Sequence, residues 1–451
     1  MERDKRKTGK TINMTEGKPL TILLRFAFPI FLSMVLQSLY NLMDTAIAGY
    51  ILGDNALAAI GATGAVYNLL VTFASGLNTG FSMHISRAFG SGDRKKLEMA
   101  VTWICLLNLV MAVVFTAGSL LFVDQILIAM NTPQEIYADA KDYLFLILAG
   151  IPVTMAYNMG SAVLRSMGNS ATPLNVLLIS SGLNVVMNYV FAKIFQWGVA
   201  GLAIATILAQ GISAAYTIWY VTHNYGIRIQ KAYFHPEKGF VSDMFLTGLS
   251  MGMMGLIVSV GSVILQSAVN DLGSGYIAGQ IGGSKVQVVF TRMIVSVANA
   301  VATYISQNYG AGRRDRVRQG LAATFLICSV LCIVCIAFAL SPMAPLAVHL
   351  ITGSQKQEVL ESGARFIRVT LQSSPFLCTL LVLRNTLQGM GHKVVPLFAS
   401  AVEMLGKVLF AWTMVPRYGY PAVCVCEPVL WVVCSCYLAV MVFLFRKEFT
   451  V

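Results

Sequence analysis

Asp44 stands in a run of Leu, Phe, Met, Ala and Ile, with Gln37 seven residues and Asn41 three residues before it. On a helix, spacings of three and seven return to one face. A charge at the centre of a bilayer costs about 2.5–3.5 kcal/mol on insertion scales, so an acid retained there points to a cavity or an ion path. The chemistry open to it is the binding and release of a cation. Farther along, Ser181, Asn184 and Asn188 form a second polar stripe at helical spacing. Together the two stripes would make a polar pocket. Interhelical hydrogen bonds that merely hold a bundle together use the same residue types, and for Asn184 and Asn188 both readings stay open.

The second half of the chain carries its own charges. Glu403 and Lys407 are four residues apart, in the order that favours an ion pair on a helix; a structural pair and a functional one are equally open. Arg292 and Arg384 are further embedded cations, and Glu427, just before Pro428, is another acid candidate. His84 and His392 fall near span ends, where solvated or packing roles suffice. Pro29 sits inside the first apolar run and is a candidate for bending it.

Such residues need elements to hold them, and composition says which. The chain has 451 residues, 57% of them hydrophobic and 12% charged, with a mean hydropathy of +0.71. A soluble domain would carry about 25% charged residues. Apolar stretches long enough to cross a bilayer recur twelve times, roughly at 20–48, 55–86, 97–122, 138–164, 172–194, 198–222, 243–269, 275–305, 319–341, 362–387, 394–415 and 421–445. A span must satisfy its own backbone in lipid, and barrel-type alternation is absent, so the expected fold is an all-α integral membrane protein. The run starting near Leu20 is too long for a secretory signal and lacks a small-residue cleavage site. It is expected to remain as the first helix. The nine cysteines lie within spans, and small apolar packing residues are the simpler account of them. Clustered His, Asp or Cys suited to an enzyme near one membrane face is not found, and no metal or organic cofactor is expected.

The chain also repeats. At an offset of 220, Ser86-Arg-Ala-Phe-Gly-Ser-Gly-Asp-Arg-Lys95 falls on Ser306-Gln-Asn-Tyr-Gly-Ala-Gly-Arg-Arg-Asp315. At 223, Leu164-Arg-Ser-Met-Gly-Asn-Ser-Ala-Thr-Pro-Leu174 falls on Leu387-Gln-Gly-Met-Gly-His-Lys-Val-Val-Pro-Leu397. Two copies of one half are a usual plan for a secondary transporter, with the substrate site between them. Six spans per copy make the repeats parallel, so two six-helix lobes related by a pseudo-twofold along the membrane normal are expected. The divisions are a segment 1–19, an amino-terminal lobe 20–222, a linker 223–242, a carboxyl-terminal lobe 243–446 and a tail 447–451. Basic residues cluster in every second loop, beginning with Arg3 to Lys10 and ending with Arg446 and Lys447. That bias puts both termini and the linker in the cytoplasm. The net charge of +12 is therefore topology charge; nucleic-acid binding would need one concentrated basic face. The twenty-two methionines suit a surface that repacks around varied ligands, though most will face lipid or neighbouring helices.

Pro29 followed by Asn41-Leu-Met-Asp44-Thr-Ala-Ile-Ala-Gly49 resembles the first helix of the MATE (multidrug and toxic compound extrusion) family. The paired Gly-x-Gly loops and Gly198-Val-Ala-Gly-Leu-Ala-Ile-Ala-Thr206 are also similar to its motifs. The likeness runs from about Thr15 to Arg446 and is nearest the bacterial MepA-like and DinF-like branches. It implies an exporter of amphipathic organic cations, working by alternating access as a monomer in the cell membrane and driven by H+ or Na+. Asp44 would match the family's first-helix acid, implicated in cation coupling. Asn184 and Asn188 match an Asn-x-x-x-Asp pattern with Asn in place of the acid. The seventh- and tenth-helix acids of some branches are missing, so ion coupling through the second lobe would need Glu403 to substitute, and whether Glu403 or Glu427 takes part stays open. The alternative is a related flippase for lipid-linked saccharides or other lipids, which Arg292, Arg384 and Lys407 keep open by offering positive charge to phosphate.

Overall fold

The computed structural model describes residues 11–449. The basic cluster Arg3 to Lys10 and the final Thr450 and Val451 lie outside the described residues, as does the side chain of Lys231. Among the described residues there are seventeen α-helices and no β-strand. In chain order they are α1 (Pro19–Ile47), α2 (Asp54–Ser91), α3 (Arg94–Leu121), α4 (Val123–Ala129), α5 (Tyr137–Ala149), α6 (Ile151–Ser166), α7 (Ala171–Tyr189), α8 (Gly198–Asn224), α9 (Phe240–Asn270), α10 (Ser274–Gly310), α11 (Arg314–Leu340), α12 (Met343–Thr352), α13 (Gln357–Gln372), α14 (Ser374–Met390), α15 (Val394–Leu409), α16 (Val415–Tyr418) and α17 (Tyr420–Leu444). Three π-helical turns, Ala48–Leu52, Val190–Ile194 and Phe410–Met414, directly follow α1, α7 and α15.

Among the described residues ten helices are long and apolar enough to cross a membrane, and up to twelve spans result if each of two bent pairs counts as one. The apolar runs 138–164 and 362–387 read as continuous spans in the sequence. Instead α5 and α6 meet at 45°, and α13 and α14 at 50°. The cause is Pro152 and Pro375, each the second residue of the helix after the break. Proline removes an N–H and clashes with the preceding turn, yet fits the first turn of a new helix, where no partner is needed. By contrast, α1 runs unbroken through Pro29.

Packing divides the described chain into two compact units. One comprises Leu32–Gly252 with Thr11 and Ile12; the other comprises Asn13–Phe31 and the chain from Met253 onward. The divisions fall inside α1 and α9, and residues 223–242 lie wholly in the first unit.

The first unit is centred on Leu127, Leu144, Leu148, Met155 and Ala203, all fully or almost fully buried. One close helix contact joins α2 to the start of α9. Gly76 and Gly80 on one helix face Gly252 and Gly248 on the other, each pair four residues apart. A Cβ on Gly80 would lie 2.5 Å from Gly248 Cα, and one on Gly76 would lie 2.7 Å from Gly252 Cα. Small residues at this spacing let backbones approach where lipid supplies no hydrophobic drive. The linker is tied down as well: Trp103 Nε1 donates to Tyr233 O at 2.9 Å, and Tyr233 Oη donates to Glu98 Oε2 at 2.9 Å.

The second unit has two apolar clusters. One is built on Leu265, Val269, Val423 and Leu430, the other on Val286, Ala339, Val348 and Ile367. Buried Arg316 on α11 holds residues 14–17 of the chain: its guanidinium donates to Met14 O at 3.2 Å, Gly17 O at 3.0 Å and Asn308 Oδ1 at 3.1 Å. The repeated loops have repeated geometry. Gly92 and Gly312 both adopt left-handed backbone, with φ of 72° and 69°, and each amide closes on a carbonyl three residues back, Phe89 O and Tyr309 O. Only glycine does this without strain.

Candidate functional site

In the first unit the structure joins the two polar stripes at one point. Asn188 Nδ2 donates to Asp44 Oδ1 at 2.7 Å and to Asn184 Oδ1 at 2.9 Å. Asn184 Nδ2 lies 3.4 Å from Thr206 Oγ1 on α8, which also accepts from Tyr40 Oη at 3.3 Å. With its amide turned over, Asn184 donates to Asp44 Oδ1 at 2.8 Å and accepts from Thr206 N at 3.3 Å. Either orientation keeps it in the cluster; in the second the bond from Asn188 is lost, because the two amide nitrogens then face each other at 2.9 Å. Asn184 and Asn188 are 0% exposed, while Asp44 is half-buried.

Local sequence explains the placement. Asp44 lies one turn before the end of α1, and Asn188 one residue before the end of α7; both helices then open into a π-helical turn. Such turns commonly mark functional sites because they re-aim side chains without ending the helix. Ala48 and Ala192, one in each turn, pack with Leu202 of α8 in a small buried cluster that backs the polar groups. A second polar group extends from α8. Gln210, four residues after Thr206, donates to Tyr67 Oη at 3.4 Å, and Tyr67 Oη lies 3.4 Å from Thr154 Oγ1.

Gln37 and Asn41 are exposed and take no part in these bonds; they share a face of α1 with Asp44, but the contact is made one turn farther on. The Ser181 hydroxyl is buried outside the hydrogen-bonded set. Tyr40 and Thr206 belong to the cluster without standing in either polar stripe. Their signals were present: Tyr40 precedes Asp44 by four residues, and Thr206 closes the Gly198–Thr206 motif.

The second unit holds a four-charge network. Arg384 Nη2 on α14 pairs with Glu403 Oε2 at 3.1 Å. Lys407 Nζ lies 3.5 Å from Glu403 Oε1, 3.3 Å from Glu427 Oε1 on α17 and 3.0 Å from Ser262 Oγ on α9. Gln287 Nε2 on α10 donates to Glu427 Oε2 at 3.3 Å. Lys407 is 1% and Glu403 6% exposed. Two cations and two carboxylates cancel, which is the condition for keeping charges buried. Arg292 is half-buried in the middle of α10.

The histidines are engaged elsewhere. His84 Nε2 lies 2.9 Å from Asp243 Oδ2, and His392 Nε2 3.2 Å from Glu448 Oε2. All nine cysteines are free thiols, seven of them buried. Among the described residues no group of three or more His, Cys, Asp or Glu is placed to hold a metal.

Ten to twelve apolar spans among the described residues, with acids held among polar side chains, define a multi-span, all-helical membrane protein. Residues 29–190 and 250–413 match the family model MatE, and the chain belongs to the MATE family of transporters, which are not enzymes. Among curated proteins it is 27% identical over 310 residues to the probable multidrug resistance protein YpnP of Bacillus subtilis, covering 68% of this chain and 69% of that one. It is 22% identical over 439 residues to the multidrug export protein MepA of Staphylococcus aureus, covering 95% and 94%. Among solved structures, an outward-facing multidrug resistance MATE family transporter of the MOP superfamily superposes with a TM-score of 0.89 at 22% identity, over 99% of this chain and 100% of that one. The flippase alternative finds no support in these likenesses, and two of the three cations it needs, Arg384 and Lys407, are tied to carboxylates.

Proposed function

We propose that the protein is a multidrug efflux antiporter of the bacterial cell membrane that exports amphipathic organic cations as H+ or Na+ moves inward, with Asp44 as the coupling acid. The observation that carries this reading is the 2.7 Å contact between Asn188 Nδ2 and Asp44 Oδ1, inside a cluster whose amides are fully buried. A carboxylate so placed is costly as a bare anion and gains from any cation that reaches it. An organic cation and a small ion therefore compete for it. Pairing with H+ or Na+ weakens the hold on the organic cation and releases it outside; release of the small ion to the cytoplasm resets the site. The basic loops support cytoplasmic termini, and the names of the relatives support a small-molecule cargo. The cycle is proposed to run in a monomer and needs no cofactor beyond the coupling ion.

The test is flux of a fluorescent organic cation in proteoliposomes, with a pH gradient and a Na+ gradient imposed separately. One gradient is expected to drive transport in the wild type and neither in Asp44→Asn. Full flux in Asp44→Asn would remove Asp44 from the mechanism.

A further inference from the structure

The two units carry different chemistry at matching places in the repeat. The 223-residue offset that aligns Leu164–Leu174 with Leu387–Leu397 carries Asn184 onto Lys407. Both α7 and α15 then open into a π-helical turn. Gly198 and Gly419, at an offset of 221, both adopt left-handed backbone, with φ of 59° and 63°, where α8 and α17 begin. Counting on from them carries Thr206 onto Glu427. Two neutral groups that surround an acid in the first unit are thus replaced, in the second, by an ammonium and a carboxylate in contact at 3.3 Å.

We propose that Lys407 is a tethered cation, its ammonium filling a small-cation site formed by Glu403, Glu427 and Ser262, and that it makes the second unit indifferent to Na+. The donor set suits an alkali ion. Glu403 Oε1, Glu427 Oε1 and Ser262 Oγ converge on Nζ at 3.5, 3.3 and 3.0 Å, and hard oxygen ligands of this kind are what such ions take. Charge points the same way. Arg384 offsets one carboxylate through its 3.1 Å contact with Glu403, so deleting Lys407 leaves one uncompensated negative charge, and one monovalent ion restores neutrality. Burial of Lys407 at 1% exposure keeps the ammonium in place. The first unit has no such tether within its hydrogen-bonded cluster: Asp44 is held there by neutral amides. Only that contrast rests on the proposed role of Asp44; the filled site in the second unit stands whichever ion drives transport.

The experiment uses full-length purified protein carrying Asp44→Asn, so that the first unit is silent, and compares thermal stability and 22Na+ binding in Na+ and in choline. With Lys407 present, neither readout is expected to respond to Na+. With Lys407→Ala added, the melting temperature in choline is expected to fall by several degrees, Na+ to restore most of it, and one Na+ to bind per chain. Further addition of Glu427→Gln is expected to abolish that binding. A folded Lys407→Ala protein that binds no Na+ overturns the proposal. Should Lys407→Ala fail to accumulate, Lys407→Met, which keeps the bulk of the buried side chain without its charge, carries the same test: one Na+ bound per chain is expected, and none overturns the tether. Loss of transport in Asp44→Asn is read separately by flux, so the two proposals fail on different measurements.

Discussion

Asp44 and Asn188 are 144 residues apart in sequence and 2.7 Å apart in space, carboxylate to amide. The contact ties the end of α1 to the end of α7, just where each helix loosens into a π-helical turn. It converts two polar stripes, each compatible with plain bundle packing, into one cluster around an acid.

Removing the donor tests that contact. Asn188→Ala leaves Asp44 without its closest partner in a buried setting, which typically costs about 1–3 kcal/mol. A lowered melting temperature in detergent and at least a tenfold fall in organic-cation flux are expected. Unchanged flux would mean the amide only fills space.

The proposed exchange also has an electrical signature. An inward charge gains about 2.3 kcal/mol per 100 mV, and a monovalent organic cation leaving in exchange cancels it. Flux of such a cargo against one H+ should therefore not change when the membrane potential is set with K+ and valinomycin, whereas a dicationic cargo should slow as the interior becomes more negative. Strong dependence for the monovalent cargo would show that more than one ion enters per cycle.

Close packing of α2 on α9 allows no side chain. Gly80→Ala would drive a methyl group against Gly248, and Gly248→Ala would drive one into the Phe81 ring. Overpacking of this kind costs about 1–3 kcal/mol. Lower yield of folded protein and an earlier melting transition are expected for each, while Gly118→Ala, where nothing lies within 4 Å, should behave as wild type.

Arg384 and Glu403 should be costly to break singly and far less so together. Losing one partner of a buried pair costs about 3–5 kcal/mol because the other charge is stranded. Arg384→Leu is expected to destabilise strongly. Adding Glu403→Leu is expected to recover much of the loss, since Lys407 and Glu427 remain to neutralise each other at 3.3 Å. Additive losses in a double-mutant cycle would contradict the pairing.

Arg316 should govern the segment before α1. Arg316→Ala removes the donors to Met14 O and Gly17 O, so amide exchange over residues 13–18 is expected to rise while that in the body of α11 does not.

Sequence by itself determined the class of fold and the address of the acid at the centre of the first unit's polar cluster. The apolar runs, the charge depletion and the alternating basic loops are one-dimensional consequences of living in lipid, so they can be read without coordinates. A repeat at 220–223 residues is equally visible, and so are the glycines whose left-handed turns it carries twice. Asp44, Asn184 and Asn188 stood out because a polar group in an apolar helix is conspicuous wherever the chain takes it. Tertiary structure decided the partnerships. Nothing along the chain says that Lys407 meets Glu427 and Ser262 as well as Glu403, or that Arg384 takes the other oxygen of that carboxylate, because these contacts depend on which helices are neighbours and how each is rotated. The same rotation left Gln37 and Asn41 outside the cluster and brought Tyr40 and Thr206 into it. Periodicity fixes a shared face to within a turn; only packing fixes which residue on that face makes the contact.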